Sequence, residues 1–248
     1  MSRPRFEDEF GGTYILIEPG IFSMGDLVGD GLARELPVHE VQIERPFFIG
    51  QRPVTQIHWE SVMGYNPSKF QEGWSSGLRP VDSITYIDSL EFIDRLNQSF
   101  NKPQLSLDGM WRLPTEAEWE YCAKSGTDTK WCFGNFDGDL DDYGWHAGNS
   151  GASTREVGLK KANNWEIFDI YGLISEWCCE NYRTDYTIPS NQSPYTNDSD
   201  IYCVRGGSWF TESDSTRSSA RSYAKKNKTS DGIAVSYTHL RAHETTLD

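Results

Sequence analysis

Thiols and imidazoles give this sequence its widest chemical range. The five cysteines are Cys122, Cys132, Cys178, Cys179 and Cys203. None stands in a C-x-x-C pair, so no zinc or dithiol motif is present. An odd number without a short framework predicts reduced thiols packed as small apolar groups. Cys178 and Cys179 are adjacent; on a strand they point to opposite faces and do not chelate together. Of the five histidines, His39 sits in a P-x-H step and reads as a packing or hydrogen-bonding residue. His58 falls on a predicted short helix and His146 in a loop, with no spacing that makes a ligand set. His239, His243 and Glu244 form H-x-x-x-H-E, which on a helix would put both rings on one face. Ser208 lies in Gly-Gly-Ser-Trp rather than a G-x-S-x-G elbow, and reads as backbone support beside the glycines.

Carboxylates outnumber cations, 37 Asp and Glu to 23 Lys and Arg, for a formal charge of −14. Such a surface repels phosphate backbones and excludes nucleic acid as a partner class. It also supplies the oxygen donors that hard cations take. No apolar run reaches membrane-spanning length, so no membrane contact is expected. The start, MSRPRFEDEF, has no apolar stretch behind its basic residues. The expectation is a cytoplasmic chain without a secretory leader.

The elements that must hold these groups centre on residues 111–126, WRLPTEAEWEYCAKSG. Trp111 and Leu113 alternate with Arg112 as at a strand end, and Pro114 keeps Leu113 extended. Thr115, with Glu118 three residues on, is a capping box. Glu116, Glu118 and Glu120 place negative charge at the positive end of the helix dipole. Ala117, Tyr121 and Ala123 are expected on the packed side, with Trp119 as a second anchor and Gly126 as the stop. Upstream, residues 12–25 alternate about Pro19 and Gly20 and predict a hairpin. Residues 39–48 read as strand. Thr55 caps a helix ending at Gly64, and a polar loop follows that carries Trp74. Thr85 caps a second helix, with Ile87, Leu90, Ile93 and Leu96 expected on one buried stripe. Beyond residue 126 periodicity is lost through residue 164, a length that implies function or pinning from outside a core. An apolar run at 167–182 and a buried strand with a glycine pair, IYCVRGGSW, complete the pattern. No repeat or linker divides the chain.

The segments EPGIFSMGD, LPVHEVQIERPFFIGQRPVTQIHW, RPVDSITYIDSLEFIDRLN, WRLPTEAEWEYCAKSG, IFDIYGLISEWCCENY and VRGGSW occur in this order over roughly residues 12 to 233. Together they resemble the formylglycine-generating enzyme, or sulfatase-modifying factor, family. The resemblance implies an α+β, C-type-lectin-like fold of small antiparallel sheets, few helices and extensive ordered loop. It implies an N-terminal tail at 1–10, one domain at 11–235 and a divergent C-terminal tail at 236–248. The family closes on an Ile-Gly-Phe-Arg strand. Here Ile233 is followed by AVSYTHLRAHETTLD, so that strand is expected to be weakened.

Matched to the family's structural calcium site, Asp169 and Glu176 would offer carboxylates and Gly172 and Ile174 backbone carbonyls. Leu173 stands where an asparagine is usual. A second family calcium site corresponds to Asn149 and Ser150; its acidic partner is not evident in SGASTREVG, where Glu156 is the candidate. The family's oxidases hold copper with two cysteines just after the Gly-Gly-Ser strand. The corresponding positions fall near Thr211 and Thr216, whose hydroxyls cannot replace thiolates. This argues against copper and against formylglycine generation, and no catalytic or cofactor-binding residue is assigned. The related hercynine oxygenases add a helical domain with iron-binding histidines, which these 248 residues do not contain. Two classes stay open. One is a binding or accessory member whose loops at 131–145 and 210–228 offer Trp, Tyr, Ser, Thr and Asp to a protein or small-molecule ligand. The other is a metal-dependent oxidase acting on a thiol, an amine or a protein cysteine.

Overall fold

The first three strands, β1 (Arg5–Glu7), β2 (Thr13–Ile17) and β3 (Gly20–Met24), fall in two different sheets. The structure, a computed structural model, describes residues 3–99, 110–187 and 200–240. The hairpin expected at 12–25 does not form. Instead β3 pairs with β4 (His39–Ile43), while β2 pairs with β1 and with β5 (Phe47–Gly50), all antiparallel. The reason lies in the connection. Two-residue hairpin turns need positive φ, and neither Glu18 nor Pro19 adopts it. β2 is also buried on both faces: Tyr14 and Leu16 enter one core, Ile15 and Ile17 the other. It therefore sits inside a covered sheet, with a partner on each edge.

Local signals set the helices as read. In α1 (Gln56–Met63) the Thr55 hydroxyl accepts from the His58 N–H at 3.3 Å, and Gly64 closes the helix at φ 82°. Before α2 (Tyr86–Ser99) the Thr85 hydroxyl accepts from the Asp88 N–H at 3.0 Å, and the Asp88 carboxylate takes the Thr85 N–H at 2.8 Å. The buried stripe of α2 differs from the expected one. Ile93 and Leu96 are buried, but Ile87 and Leu90 are 51% and 45% exposed, and Tyr86, Ser89 and Phe92 face inward instead. The Phe92 ring stacks on Trp59 with centroids 4.9 Å apart, so the larger aromatic contact sets the rotation of the helix.

Strand β6 (Trp111–Arg112) leads into α3 (Glu116–Lys124). The capping box is formed, with Thr115 Oγ1 to Glu118 N at 3.0 Å and Glu118 Oε2 to Thr115 N at 2.8 Å. The left-handed stop begins one residue early, at Ser125, and continues through Gly126. Every residue of α3 is buried, its glutamates and Lys124 included. α4 (Leu140–Tyr143) follows, then β7 (Ser175–Asn181), β8 (Ile201–Arg205), β9 (Arg221–Lys225), β10 (Ile233–Ala234) and β11 (Thr238–Leu240). One sheet runs β1-β2-β5-β11-β6 and the second β10-β7-β8-β9, with β3 and β4 as a separate ladder. The aperiodic stretch after α3 is partly core: Trp131 and Leu140 are fully buried. It is also stitched down by backbone bonds such as Leu173 N to Trp145 O and Ala147 N to Thr211 O.

Residues 236–240 are no loose tail. β11 lies between β5 and β6, and Val235, Tyr237 and Thr238 are buried. Aromatic and β-branched residues suit a strand without the family's Gly-Phe-Arg. His239 stands on this strand, so it does not open a helical H-x-x-x-H-E face; His243 and Glu244 lie outside the described residues. Among the described residues, no helix is long and apolar enough to cross a membrane.

Candidate functional site: the glycine cleft and its carboxylates

Helix α3 carries Glu116 and Glu120 one turn apart, and β8 and β9 bring arginines to both. Glu116 accepts from Arg205 Nη1 at 2.8 Å and from Arg221 Nε and Nη2 at 2.5 and 2.8 Å. Glu120 accepts from Arg205 Nη2 at 2.5 Å and from the Gly25 N–H at 2.7 Å, with Lys124 Nζ at 3.0 Å. Arg217 grips Glu35 through two bonds of 2.7 and 2.9 Å. Burial alone would push the Glu116 carboxyl up, but Arg221 and Arg205 override it and hold it at about 2. Removing one member of such a set strands a buried charge, at a cost of about 3–5 kcal/mol. The network is a floor in which each carboxylate is answered by a cation, with Arg205 Nε left buried without a partner.

Above it, the turn after β8 opens a small cleft of about 110 Å³, lined by Gly206, Gly207, Thr211, Asp214, Arg217 and Arg221 among others. Gly207 is held at φ +70°, and a Cβ there would stand 2.9 Å from both the Ser215 carbonyl and Thr211 Oγ1. Only glycine tolerates that approach. Thr211 lines the cleft, yet its hydroxyl accepts from the Ser208 N–H at 2.8 Å and donates to the Ser208 carbonyl at 3.1 Å. Thr216 is fully buried; its hydroxyl accepts from Trp131 Nε1 at 3.1 Å and donates to the Ser213 carbonyl at 2.7 Å. The backbone of Ser208 is engaged as expected, while its own hydroxyl is buried without a partner.

All five cysteines are free, and none lines the cleft. Cys178 and Cys203 hydrogen-bond to each other between β7 and β8, both fully buried. Cys179 packs on the opposite core from Cys178. Burial pushes all five thiols up, which keeps them protonated. His39 rests on Tyr186 and contacts the Pro37 carbonyl through Nδ1 at 3.0 Å.

The segment before β7 brings Asp169 and Glu176 close enough to repel one another. Asp169 Oδ2 accepts from the Gly158 N–H at 2.6 Å, but Oδ1 is buried without a partner. Glu176 accepts from Trp119 Nε1 at 2.6 Å and from the Ser236 hydroxyl at 2.7 Å. Burial pushes Asp169 up to about 6, against the Gly158 N–H, Arg52 and Lys160. Glu176 is pushed up to about 7 by burial, with Asp169 adding to it. The intervening turn is tight: Ile174 N–H donates to the Gly172 carbonyl at 2.7 Å, Gly172 has φ 93° and Leu173 φ 60°. Two under-compensated carboxylates, an orphan oxygen and nearby carbonyls are the donor chemistry of a hard cation, so these residues fit calcium.

Asn149 and Ser150 do not fit one. Asn149 Oδ1 accepts from the His146 N–H at 2.8 Å, and its amide donates to Asp141 and Gly144. The Ser150 carbonyl, the would-be ligand, accepts from Arg155 Nε at 2.8 Å, and a guanidinium there opposes a cation. Among the described residues, no hydrogen bond or ion pair brings Glu156 to Asn149 or Ser150.

The profile of the family described as "Sulfatase-modifying factor enzyme 1-like domain" matches residues 4–234. The chain belongs to that family. The fold is accordingly the α+β, C-type-lectin-like arrangement of the formylglycine-generating-enzyme type. Among relatives of this sulfatase-modifying-factor domain is "Chaperone protein LppX" of Paenibacillus barcinonensis, 27% identical over 208 residues, 66% of this chain and 70% of LppX. A second is the serine/threonine-protein kinase Pkn1 of Chlamydia trachomatis serovar L2, 29% identical over 223 residues. The match takes in 84% of this chain but only 35% of the kinase. Among solved structures, "Treponema denticola variable protein 1" superposes with a TM-score of 0.83 at 26% identity, covering 96% of this chain and 99% of that one.

Sequence reasoning missed the arginine partners. Arg205 lies in an otherwise apolar strand, IYCVR, and a charge in that company was the available signal that something buried must answer it.

Proposed function

We propose that this chain is a binding or accessory member of its family, taking a protein or small-molecule ligand rather than oxidising a cysteine. One observation carries the reading: hydroxyls stand near the two positions where the family's oxidases have copper-binding thiols, and both are closed on local partners. The nearest thiol in sequence, Cys203, is sealed against Cys178. The exposed aromatics Phe136 and Phe210 on the flanking loops and Tyr223 on β9 are the contact groups such a role would use; Trp131, in the first of those loops, is spent in the core. That a relative is named as a chaperone and a structural neighbour as a variable protein supports the same class. Packed, protonated thiols support a reducing, cytoplasmic location, and a charge of −14 argues against nucleic acid.

Calcium is the structural ion of this proposal. Asp169 and Glu176 would hold it with the Gly172 and Ile174 carbonyls, and it would neutralise two buried carboxylates. The test is a paired assay on the purified protein. After Cu(I) loading and desalting, metal analysis is expected to find calcium and no stoichiometric copper. A sulfatase-type cysteine peptide supplied with oxygen and a reductant should stay unconverted by mass spectrometry. One copper per chain that disappears in Cys178→Ser or Cys203→Ser, together with peptide conversion, would reinstate the oxidase.

A further inference from the structure

A larger cavity, about 390 Å³, opens between β2, the turn after β5 and the start of α1, and shares no lining residue with the glycine cleft. Its volume falls within the roughly 300–1,000 Å³ of small-molecule sites. Tyr14, His58 and Tyr237 line it on one side; Val54, Ile57, Leu78 and Val157 supply apolar wall, and Arg52 is also on its surface.

Behind the aromatic wall lies Asp8, whose side chain is 1% exposed. Asp8 Oδ1 accepts from the Phe10 and Gly12 N–H groups at 2.9 and 2.7 Å, and Oδ2 accepts from the Tyr14 hydroxyl at 2.5 Å. The Tyr237 hydroxyl touches that of Tyr14 and lies 3.4 Å from His58 Nε2, which is 3.6 Å from Asp8 Oδ2. The carboxylate fixes the direction of the chain. Tyr14 gives its proton to Asp8, so Tyr237 donates to Tyr14, and His58 Nε2–H donates toward Tyr237 and Asp8. In the neutral ring this tautomer leaves Nδ1 as an acceptor. Burial pulls His58 down from its ordinary value, against the pull of Asp8, and so favours that neutral ring.

Arg52 is the complementary feature. Its guanidinium stacks over Phe168 at 5.1 Å. Among the described residues, no hydrogen bond or ion pair holds it. Asp169 acts on it electrostatically without taking a hydrogen bond, and in a chain of charge −14 a guanidinium with unspent donors beside a cavity is a ready fork for a carboxylate. We propose that this cavity binds a small organic carboxylate with an apolar body and a hydrogen-bond donor at its far end, Arg52 taking the carboxylate and His58 the donor. The cavity shares no lining residue with the calcium position or with the loops of the proposed function, although Arg52 also acts electrostatically on Asp169.

The probe is para-hydroxyphenylacetate, titrated into the full chain by calorimetry, with phenylacetate and para-hydroxyphenylacetamide as partners lacking the donor or the charge. Saturable binding is expected, weakened about fivefold or more by loss of either group and by Arg52→Gln. Ile57→Trp, at an exposed position on the cavity wall, is expected to block binding while leaving the circular dichroism and melting curve unchanged. The proposal is overturned if para-hydroxyphenylacetate fails to bind up to about 10 mM, a concentration matching the weakest useful affinities. It is equally overturned if binding survives both Arg52→Gln and Ile57→Trp unaltered.

Discussion

Glu116 and Glu176 are both buried glutamates beside the glycine turn, and they reach opposite electrostatic states. Glu176 is register-paired with Arg205 across β7 and β8, yet Arg205 sends its terminal nitrogens to Glu116 and Glu120. Trp119 engages both sides: the Arg205 guanidinium lies 5.1 Å from its ring centroid, while its N–H bonds to Glu176. Glu116 is thereby held at about 2, and Glu176 is pushed to about 7 beside an equally under-compensated Asp169. Burial is common to both, so the partner decides the charge. One cluster is complete within the chain and serves architecture. The other keeps an unpartnered Asp169 oxygen and two carboxyls raised by burial, which the proposal gives to a cation.

The largest test of this contrast is Arg205→Met. It takes one guanidinium from two buried carboxylates, leaving Glu116 to Arg221 and Glu120 to Lys124, and is expected to lower unfolding free energy by about 3 kcal/mol, read by urea denaturation; a loss below about 1 kcal/mol would put the paired cluster on the level of surface ion pairs. Next comes acid. Between pH 4.5 and 2 the unfolded chain binds the Glu116 proton and the folded chain does not. Stability from this group is complete above pH 4.5 and is lost as pH falls toward 2. The loss is about 3 kcal/mol, and Glu116→Gln should flatten that limb of the stability profile. Calcium should act on the other cluster alone. At 100 times its Kd it is expected to add about 2.7 kcal/mol, a gain that Asp169→Asn abolishes in thermal melts with and without chelator. The smallest effect is Thr115→Ala, which removes the cap of α3 and should cost about 1 kcal/mol without altering the calcium response.

What was legible from the chain had short-range causes. The capping boxes and helix N-termini at Thr55, Thr85 and Thr115 involve residues three apart, and each formed as read. The opposed faces of Cys178 and Cys179 follow from strand geometry. Where longer reach mattered, local pattern misled. The alternation at 12–25 described two strands correctly but not their partners, because the turn between them lacks positive φ. The α2 stripe turned toward Trp59, which no window on the helix contains. Residues 236–240 read as a tail only until β5 and β6 are seen on either side of β11.

By itself, then, the sequence determined the family, the helix caps, and threonine near each expected copper-binding cysteine, since each is a matter of residue identity or of neighbours within a turn. Only the tertiary structure decided which glutamate is answered by an arginine, and which cavity collects Tyr14, His58 and Tyr237. Those groups meet across separations such as the 223 residues between Tyr14 and Tyr237. At that range the chain's covalent order says nothing about distance, and packing of the two cores alone brings them together.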